Sequence, residues 1–226
     1  MLMNTRSIGL SGNASLLYPA EFVRRRYDRL APWYRLFEWT LWLPRGIRSR
    51  AVRKLELQHG DTVLEVGCGT GRNLPYLKAG VGSSGHIFGV DPSEKMLSRA
   101  WTLCRRRGWT NVTLARADAL DFRAPRPLNA VLFSLSYSVM QNRERILNHA
   151  WSQLRAGGRV VIVDGKTMPG LVGRLLHPLT ILEMKATVLG DPDHNAWADV
   201  SALTSDVHVE EELFGASFIC QGRKTT

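Results

Sequence analysis

The sequence has few cysteines, and they share no spacing. Only three occur in 226 residues, Cys68, Cys104 and Cys220, and they lie far apart. A disulfide framework or a zinc site needs paired or clustered cysteines, whereas isolated ones are typical of free thiols in a reducing compartment. The sequence therefore predicts no disulfide and no structural metal, and no His/Asp cluster indicates a metal-dependent active site.

Long apolar runs are also missing. No segment approaches the about 18 uninterrupted apolar residues of a membrane-spanning helix. Residues 1–19 contain one arginine, but Ser, Gly and Asn interrupt their apolar stretch, so they differ from a signal peptide. We therefore expect a cytoplasmic protein with a flexible leader at residues 1–19.

Acidic residues are in the minority. Lys and Arg number 30 against 20 Asp and Glu, which gives a formal net charge of +10. Such an excess predicts an anionic partner, either nucleic acid or a membrane surface. Between residues 21 and 55 there are ten basic and three acidic residues, interleaved with Trp33, Trp39 and Trp42.

Residues 20–57 have a helical pattern, which Pro32 and Pro44 should break into two or three helices. Basic residues on one side and Trp, Phe and Leu on the other are typical of a helix that lies in a membrane interface. The alternative is that these helices only cover the active site. Both interpretations remain open at this point.

Residues 58–226 alternate between apolar strands and helical patterns. The predicted strands are residues 62–66, 86–91, 111–118, 128–136 and 159–166. Continuous apolar strands indicate a parallel sheet with helices on both faces. Two last runs, around a Gly-Ala turn at residues 215–216, predict an antiparallel hairpin at the edge of the sheet. Before them, residues 167–200 form an apolar, proline-punctuated insertion that we expect to cover the substrate.

Groups suited to a nucleoside follow the predicted strands. In VLEVGCGTG, residues 63–71, three glycines make a turn that a ligand can approach closely. Asp91 closes the second strand about 20 residues later, placed to accept hydrogen bonds from ribose hydroxyls. Asp118 follows the third strand, where it can receive an adenine amino group.

The spacing of the glycines argues against a phosphate ligand. G-C-G-T-G differs from the G-x-G-x-x-G turn that presents a helix N-terminus to a pyrophosphate. Glu65, two residues before the first glycine, is unfavourable beside phosphate but suits a cationic ligand. The pattern therefore favours a nucleoside cofactor without phosphates.

Five segments, in order, resemble the motifs of class I S-adenosylmethionine-dependent methyltransferases. They are VLEVGCGTGRNL, GVDPSEKML, ARADALDF, VLFSLSYSVM and LRAGGRVVIVD, and they span about residues 60–166. The resemblance implies an α/β, Rossmann-like fold with a seven-stranded, mostly parallel sheet, a C-terminal antiparallel hairpin and an N-terminal helical cap. It implies S-adenosylmethionine as the cofactor, bound by Glu65, Gly67, Cys68, Gly69, Gly71, Asp91, Met96, Asp118, Ala119 and Ser134.

The methyl acceptor depends on segments outside that core. The entry segment RYDRLAPWYRLFE resembles those of bacterial phosphatidylethanolamine N-methyltransferases and of ubiquinone/menaquinone C-methyltransferases. Our leading hypothesis is therefore methylation of a phospholipid amine by a protein bound peripherally to the inner, anionic face of the membrane. The alternative is C-methylation of a quinone or another small hydrophobic acceptor.

A third hypothesis is a protein that binds or methylates nucleic acid, but no recognition domain is present and no such partner is expected. The predicted catalytic residues, which would orient or deprotonate the acceptor, are Tyr27, Tyr34 and Tyr137. His149 is predicted to be structural, and His177 and His194 are weaker candidates for a base. The sequence leaves the oligomeric state open.

Overall fold

The computed structural model describes residues 19–34, 44–168, 170, 171, 173, 175, 178, 190, 191 and 194–225. Almost all of the predicted leader and most of the 167–200 insertion lie outside the described residues. The same holds for Trp39, Trp42 and His177.

A seven-stranded sheet forms the centre of the molecule. The strands are β1 (Thr62–Val66), β2 (His86–Val90), β3 (Val112–Ala115), β4 (Leu128–Ser134), β5 (Leu154–Gly165), β6 (Val207–Glu212) and β7 (Ser217–Arg223). Their order is β3-β2-β1-β4-β5-β7-β6. Strands β1 to β5 are parallel, and β7 is antiparallel to both of its neighbours. The predicted α/β fold, with a mostly parallel sheet and a C-terminal hairpin, is confirmed.

Helices pack on both faces of this sheet. They are α2 (Ile47–Lys54), α3 (Leu74–Val81), α4 (Glu94–Arg107), α5 (Arg143–Ser152) and α6 (Ala196–Ser201), whereas the first helix, α1 (Ala20–Leu30), and the 3₁₀ turn after it, Ala31–Trp33, pack against α4. Alternate strand residues enter two cores: Val63 packs with α2 and α3, whereas Leu64 packs on the side of α5 and α6. Burial on both faces explains why the strands are continuously apolar.

Several boundaries differ from the predicted ones. Strand β3 ends at Ala115 instead of 118, so Asp118 lies in a loop. Strand β5 begins at Leu154 and includes the predicted RAGG turn, because the β4–β5 register shifts between Leu128 and Ala130. Pro32 ends the first helix as expected, since α1 stops at Leu30.

Candidate cofactor and acceptor site

A cavity opens at the carboxyl ends of the parallel strands and is covered by α1. Its empty volume is ≈ 1160 Å³, counting the space open to solvent. Ligand sites are commonly about 300–1,000 Å³, and in open α/β sheets they lie at this edge. The walls come from the turn after β1, the ends of β2 and β4, the loop after β3, and α1.

The glycine turn after β1 leaves room for a ligand at one position and for a helix at another. At Gly69, with φ +52°, an added Cβ would meet no atom within 4 Å, so the missing side chain faces the open cavity. At Gly71, with φ +78°, a Cβ would lie 2.7 Å from Leu74 Cδ1 and 3.1 Å from Ala100 Cβ. Gly71 therefore permits close packing of α3 and α4 against the turn and does not line the cavity, in contrast to its predicted cofactor contact.

The other predicted cofactor residues do line the cavity. They are Glu65, Gly67, Cys68, Gly69, Asp91, Met96, Asp118, Ala119 and Ser134. Asp118 Oδ1 accepts a hydrogen bond from Leu120 N at 2.9 Å, which holds the loop after β3 against the cavity. The structure thus brings together groups from four separate strand ends.

Asp91 links the glycine turn to the start of α4. Its Oδ2 accepts from Gly69 N at 2.9 Å, and its Oδ1 accepts from Ser93 N at 2.8 Å. Burial raises the pKa of Asp91 to about 6, although both hydrogen bonds lower it. Because each carboxylate oxygen can accept more than one hydrogen bond, the group still has capacity for ribose hydroxyls.

Glu65 is fully buried in β1. Asn73 Nδ2 donates to its Oε1 at 2.6 Å, while Oε2 has no hydrogen-bond partner among the described residues. Burial raises the pKa of Glu65 to about 7, and Asn73 and then Arg48 oppose this shift. A buried carboxylate oxygen without a partner is costly, so this atom suits a cationic group of a ligand.

Arg48 is a cavity residue that sequence reasoning missed. Its guanidinium donates to Ser134 Oγ at 3.0 Å and to Asn73 Oδ1 at 3.3 Å, which places it beside Glu65. A guanidinium at this position suits a ligand carboxylate. In the sequence Arg48 is one of ten similar basic residues, and no motif distinguishes it.

The wall formed by α1 and by the residue after its 3₁₀ turn contains two of the predicted catalytic tyrosines. Tyr27 and Tyr34 both line the cavity, and their ring centroids are 6.3 Å apart. Burial, then the nearby Tyr34 and Asp164, raise the pKa of Tyr27 well above its ordinary value. Tyr27 is therefore suited to donate a hydrogen bond and not to act as a base at neutral pH.

Helix α1 is fastened to the start of α4 through Asp28. Ser93 Oγ donates to Asp28 Oδ1 at 2.6 Å, and Arg24 donates to Asp28 Oδ2 at 3.1 Å. Ser93 is also the N-cap of α4, because its Oγ accepts from Met96 N. One serine thus connects the cover of the cavity to the strand end that carries Asp91.

Tyr137 lies in the core, in contrast to its predicted catalytic role. It is fully buried and donates from its hydroxyl to Asp199 Oδ2 at 2.7 Å. Its ring contacts Phe133 edge-on at 5.4 Å. Burial, followed by the bond to Asp199, raises the pKa of Tyr137. Its neighbours in the chain, and not Tyr137 itself, reach the cavity.

Two histidines weighed for a role in catalysis, His149 and His194, lie away from the cavity, whereas among the cysteines Cys68 lines it. His149 Nε2 contacts Phe122 O at 2.8 Å, and His194 is buried with Nδ1 2.7 Å from Asp191 O. Neither lines the cavity. The three cysteines are buried and free, as predicted.

No group of three or more His, Cys, Asp or Glu side chains within the described ranges could hold a metal ion. In the same part of the chain, none of the helices combines the length and the apolarity that crossing a membrane requires.

Residues 63–158 match a family model described as a methyltransferase domain. The chain is 30% identical over 120 residues to a probable cobalt-precorrin-6B C(15)-methyltransferase (decarboxylating) of Saccharolobus solfataricus, covering 51% of this chain and 58% of the relative. It is 25% identical over 156 residues to a demethylmenaquinone methyltransferase of Anoxybacillus flavithermus, covering 68% and 65%. The chain thus spans less than two thirds of either relative.

A solved S-adenosylmethionine-dependent methyltransferase of Aquifex aeolicus has the same fold, with a TM-score of 0.54 and 19% identity. The alignment covers 78% of this chain and 89% of that one. Residues 63–158, which include much of the cavity wall, thus resemble a methyltransferase domain, and the structural similarity shows the Rossmann-like fold.

Proposed function

We propose that this chain transfers the methyl group of S-adenosylmethionine to a ring carbon of a reduced quinone or a similar small, hydrophobic phenol. A methyltransferase domain implies S-adenosylmethionine, which supplies an electrophilic methyl group on a sulfonium. The acceptor class is inferred from the cavity wall that the cofactor residues leave open.

The described residues fit the cofactor. The Glu65 carboxylate, with its unpartnered Oε2, suits the ammonium of the methionine part, and Arg48 suits its carboxylate. Asp91 is placed for the ribose hydroxyls and Asp118 for the adenine, at the ends of β2 and after β3. These assignments give a role to the buried charges around the glycine turn.

The distribution of charge in the cavity carries the proposal for the acceptor. All carboxylates among the described lining residues lie where the cofactor is expected: Glu65 near the end of β1, Asp91 directly after β2 and Asp118 in the loop after β3. The remaining wall combines apolar, neutral polar and cationic side chains without a lining carboxylate; it includes Val23, Arg24, Tyr27, Tyr34, Ser136, Val139, Met140, Gln141 and Ile146. The carboxylates of Glu21 and Asp28 lie behind this lining and are paired with Arg24. A phenolate therefore suits this wall better than an ammonium does.

The same groups account for activation of a phenol. A ring carbon becomes nucleophilic when the ring hydroxyl loses its proton, and the guanidinium of Arg24, which lines the cavity while it pairs with Glu21 and Asp28, adds positive charge that favours the ionised oxygen. Tyr27, which keeps its own proton, can donate a hydrogen bond to that oxygen and orient the ring. The carbon, held in line with the methyl group, would attack it while the methyl–sulfur bond breaks with its electrons on sulfur, and the ring carbon would then lose its proton to solvent to restore the aromatic ring.

The similarity to a demethylmenaquinone methyltransferase supports a quinone-type acceptor. The sequence-based hypothesis of a phospholipid amine is the second candidate, and the net charge of +10, which suits an anionic membrane, favours it. The two candidates differ in the nucleophile, nitrogen or carbon, and can be separated by one assay.

The purified chain is incubated with methyl-labelled S-adenosylmethionine and, in parallel, with a reduced demethylated naphthoquinol, with phosphatidylethanolamine vesicles and with tRNA. We expect label in the quinol, and none when the same quinone is kept oxidised, because the oxidised ring lacks the hydroxyl. Label in phosphatidylethanolamine or in tRNA instead would overturn the proposed acceptor. Asp91→Asn, matched in shape, should lose transfer to every acceptor.

A further inference from the structure

The turn between β6 and β7 carries two exposed, apolar residues in a strained backbone. Leu213 and Phe214 have φ of +49° and +54°, a region that glycine and asparagine adopt readily and bulky residues avoid. They occupy the centre of a turn closed by a Gly215 N to Glu212 O bond of 3.0 Å. Such turns favour Asn-Gly. Here Phe214 is 91% exposed, so neither packing nor local geometry explains the choice.

The hairpin tip lies at the edge of the sheet where the cavity opens. Ser217, the first residue of β7, pairs with Gly165 at the carboxyl end of β5 and with Glu212 of β6. Two more exposed leucines, Leu171 and Leu175, lie shortly after the end of β5, and both have a helical backbone. Apolar side chains therefore project from the tip and from the segment after β5.

The charges around the tip favour a lipid surface as the occupant. The acidic residues of β6 pair with cations of the body: Glu210 with Lys54, Glu211 with Lys166 and Glu212 with Arg50. The base of the hairpin is thereby neutralised within a chain of net charge +10. An apolar tip on a cationic protein is complementary to an anionic bilayer, which offers acyl chains behind a negative surface.

We propose that Leu213 and Phe214 form a membrane-inserting tip that seats the carboxyl edge of the sheet on an anionic lipid surface. The cavity then faces the bilayer from which a hydrophobic acceptor arrives. The identity of that acceptor rests on the proposed function, whereas the binding of the tip to lipid does not.

The test replaces both residues with those that the turn geometry prefers. Leu213→Asn combined with Phe214→Gly should raise the thermal midpoint by about a few degrees, because the strained φ angles are relieved. The same variant should bind vesicles of phosphatidylglycerol and phosphatidylcholine at least about tenfold more weakly than the parent, since two inserted apolar side chains are lost. A protein that becomes more stable while it loses lipid binding separates insertion from folding.

The matched control is Trp101→Ser, which removes an aromatic residue that is 52% exposed on α4. Its vesicle binding should stay within about twofold of the parent. Phe214→Ser alone provides a second variant if the double replacement disturbs the hairpin.

Unchanged vesicle binding in both tip variants overturns the proposal. A change in oligomeric state without lipid, measured by sedimentation, also overturns it, because the tip would then be a protein interface. Cofactor affinity and methyl transfer to a detergent-dispersed acceptor should be unaffected by the tip variants. Vesicle binding by a parent that methylates no quinol would count against the proposed function alone.

Discussion

The two walls of the cavity are built in different ways. We call the part of the lining formed by the glycine turn and Asp91 the cofactor wall; there, Asp91 is hydrogen-bonded to Gly69 and Ser93. We call the part that includes α1 the acceptor wall; there, α1 is connected to the sheet domain through side chains such as Asp28. The first wall is part of the sheet, whereas the second is attached to it. Acceptor preference can therefore change without altering the cofactor site.

The largest expected effect is on the cofactor wall. Asp91→Ala removes a buried, charged acceptor and should weaken binding of S-adenosylmethionine by about 1.5–3 kcal/mol, or roughly ten- to a hundredfold. Isothermal calorimetry measures this loss. Asn at this position, which retains the shape, should bind more tightly than Ala. An affinity equal to that of the parent would refute the assignment of Asp91.

Replacing either of two glycines in the turn after β1 should change a different property, stability in one case and cofactor binding in the other. Gly71→Ala places a Cβ against Leu74 and Ala100 and should lower the free energy of unfolding by about 2–3 kcal/mol. Gly69→Ala costs about 1 kcal/mol for its φ and projects a methyl group into the cavity, so it should mainly weaken cofactor binding. Denaturant unfolding and calorimetry on both variants test the contrast, and identical profiles would contradict it.

The buried acids predict a pH dependence of opposite sign for stability and for binding. The folded-state pKa values of about 7 for Glu65 and about 6 for Asp91 lie above their ordinary values. These groups therefore favour the ligand-free fold below pH 4, and this contribution is lost as the pH rises towards 7. A cationic cofactor needs the ionised forms, so its affinity should fall about tenfold from pH 8 to pH 6.

Glu65→Gln separates the two effects. It should flatten the decline in affinity near pH 7 and raise the stability of the ligand-free protein above that pH, since no charge is buried. Thermal unfolding and calorimetry across pH 5–8 measure both. A variant with the parent's pH profile would exclude Glu65 as the titrating group.

The smallest effects distinguish the acceptor wall from the core behind it. Tyr27→Phe should lower kcat severalfold with little change in cofactor affinity, because one hydrogen-bond donor to the acceptor is lost. Tyr137→Phe should leave kcat unchanged and lower the free energy of unfolding by about 1 kcal/mol through loss of the bond to Asp199. Steady-state kinetics and unfolding curves compare them, and the reverse pattern would contradict these positions.

Most residues predicted to bind the cofactor line the cavity because they lie close in sequence to the strand ends that present them. Continuous apolar strands predict the sheet, and the glycine turn and Asp91 at the ends of two of them predict the edge at which a ligand binds. The same logic fails at Gly71, where a helix and not the cofactor requires the missing side chain. It fails again at Tyr137, because a position three residues beyond β4 does not reveal which way the ring turns.

Arg48 shows a different limit of sequence reasoning. It reaches Ser134 across 86 residues of chain, and only packing of α2 on the sheet selects it among its neighbours. Contacts between residues so far apart in the chain produce no recognisable spacing in the sequence.

The bridge formed by Ser93 has a kinetic consequence. Its backbone holds Asp91, and its hydroxyl holds α1 over the same carboxylate. We expect exchange of cofactor to release the Ser93–Asp28 bond. We expect an ordered sequence in which the cofactor enters first and its demethylated product leaves last, with reopening of α1 limiting turnover.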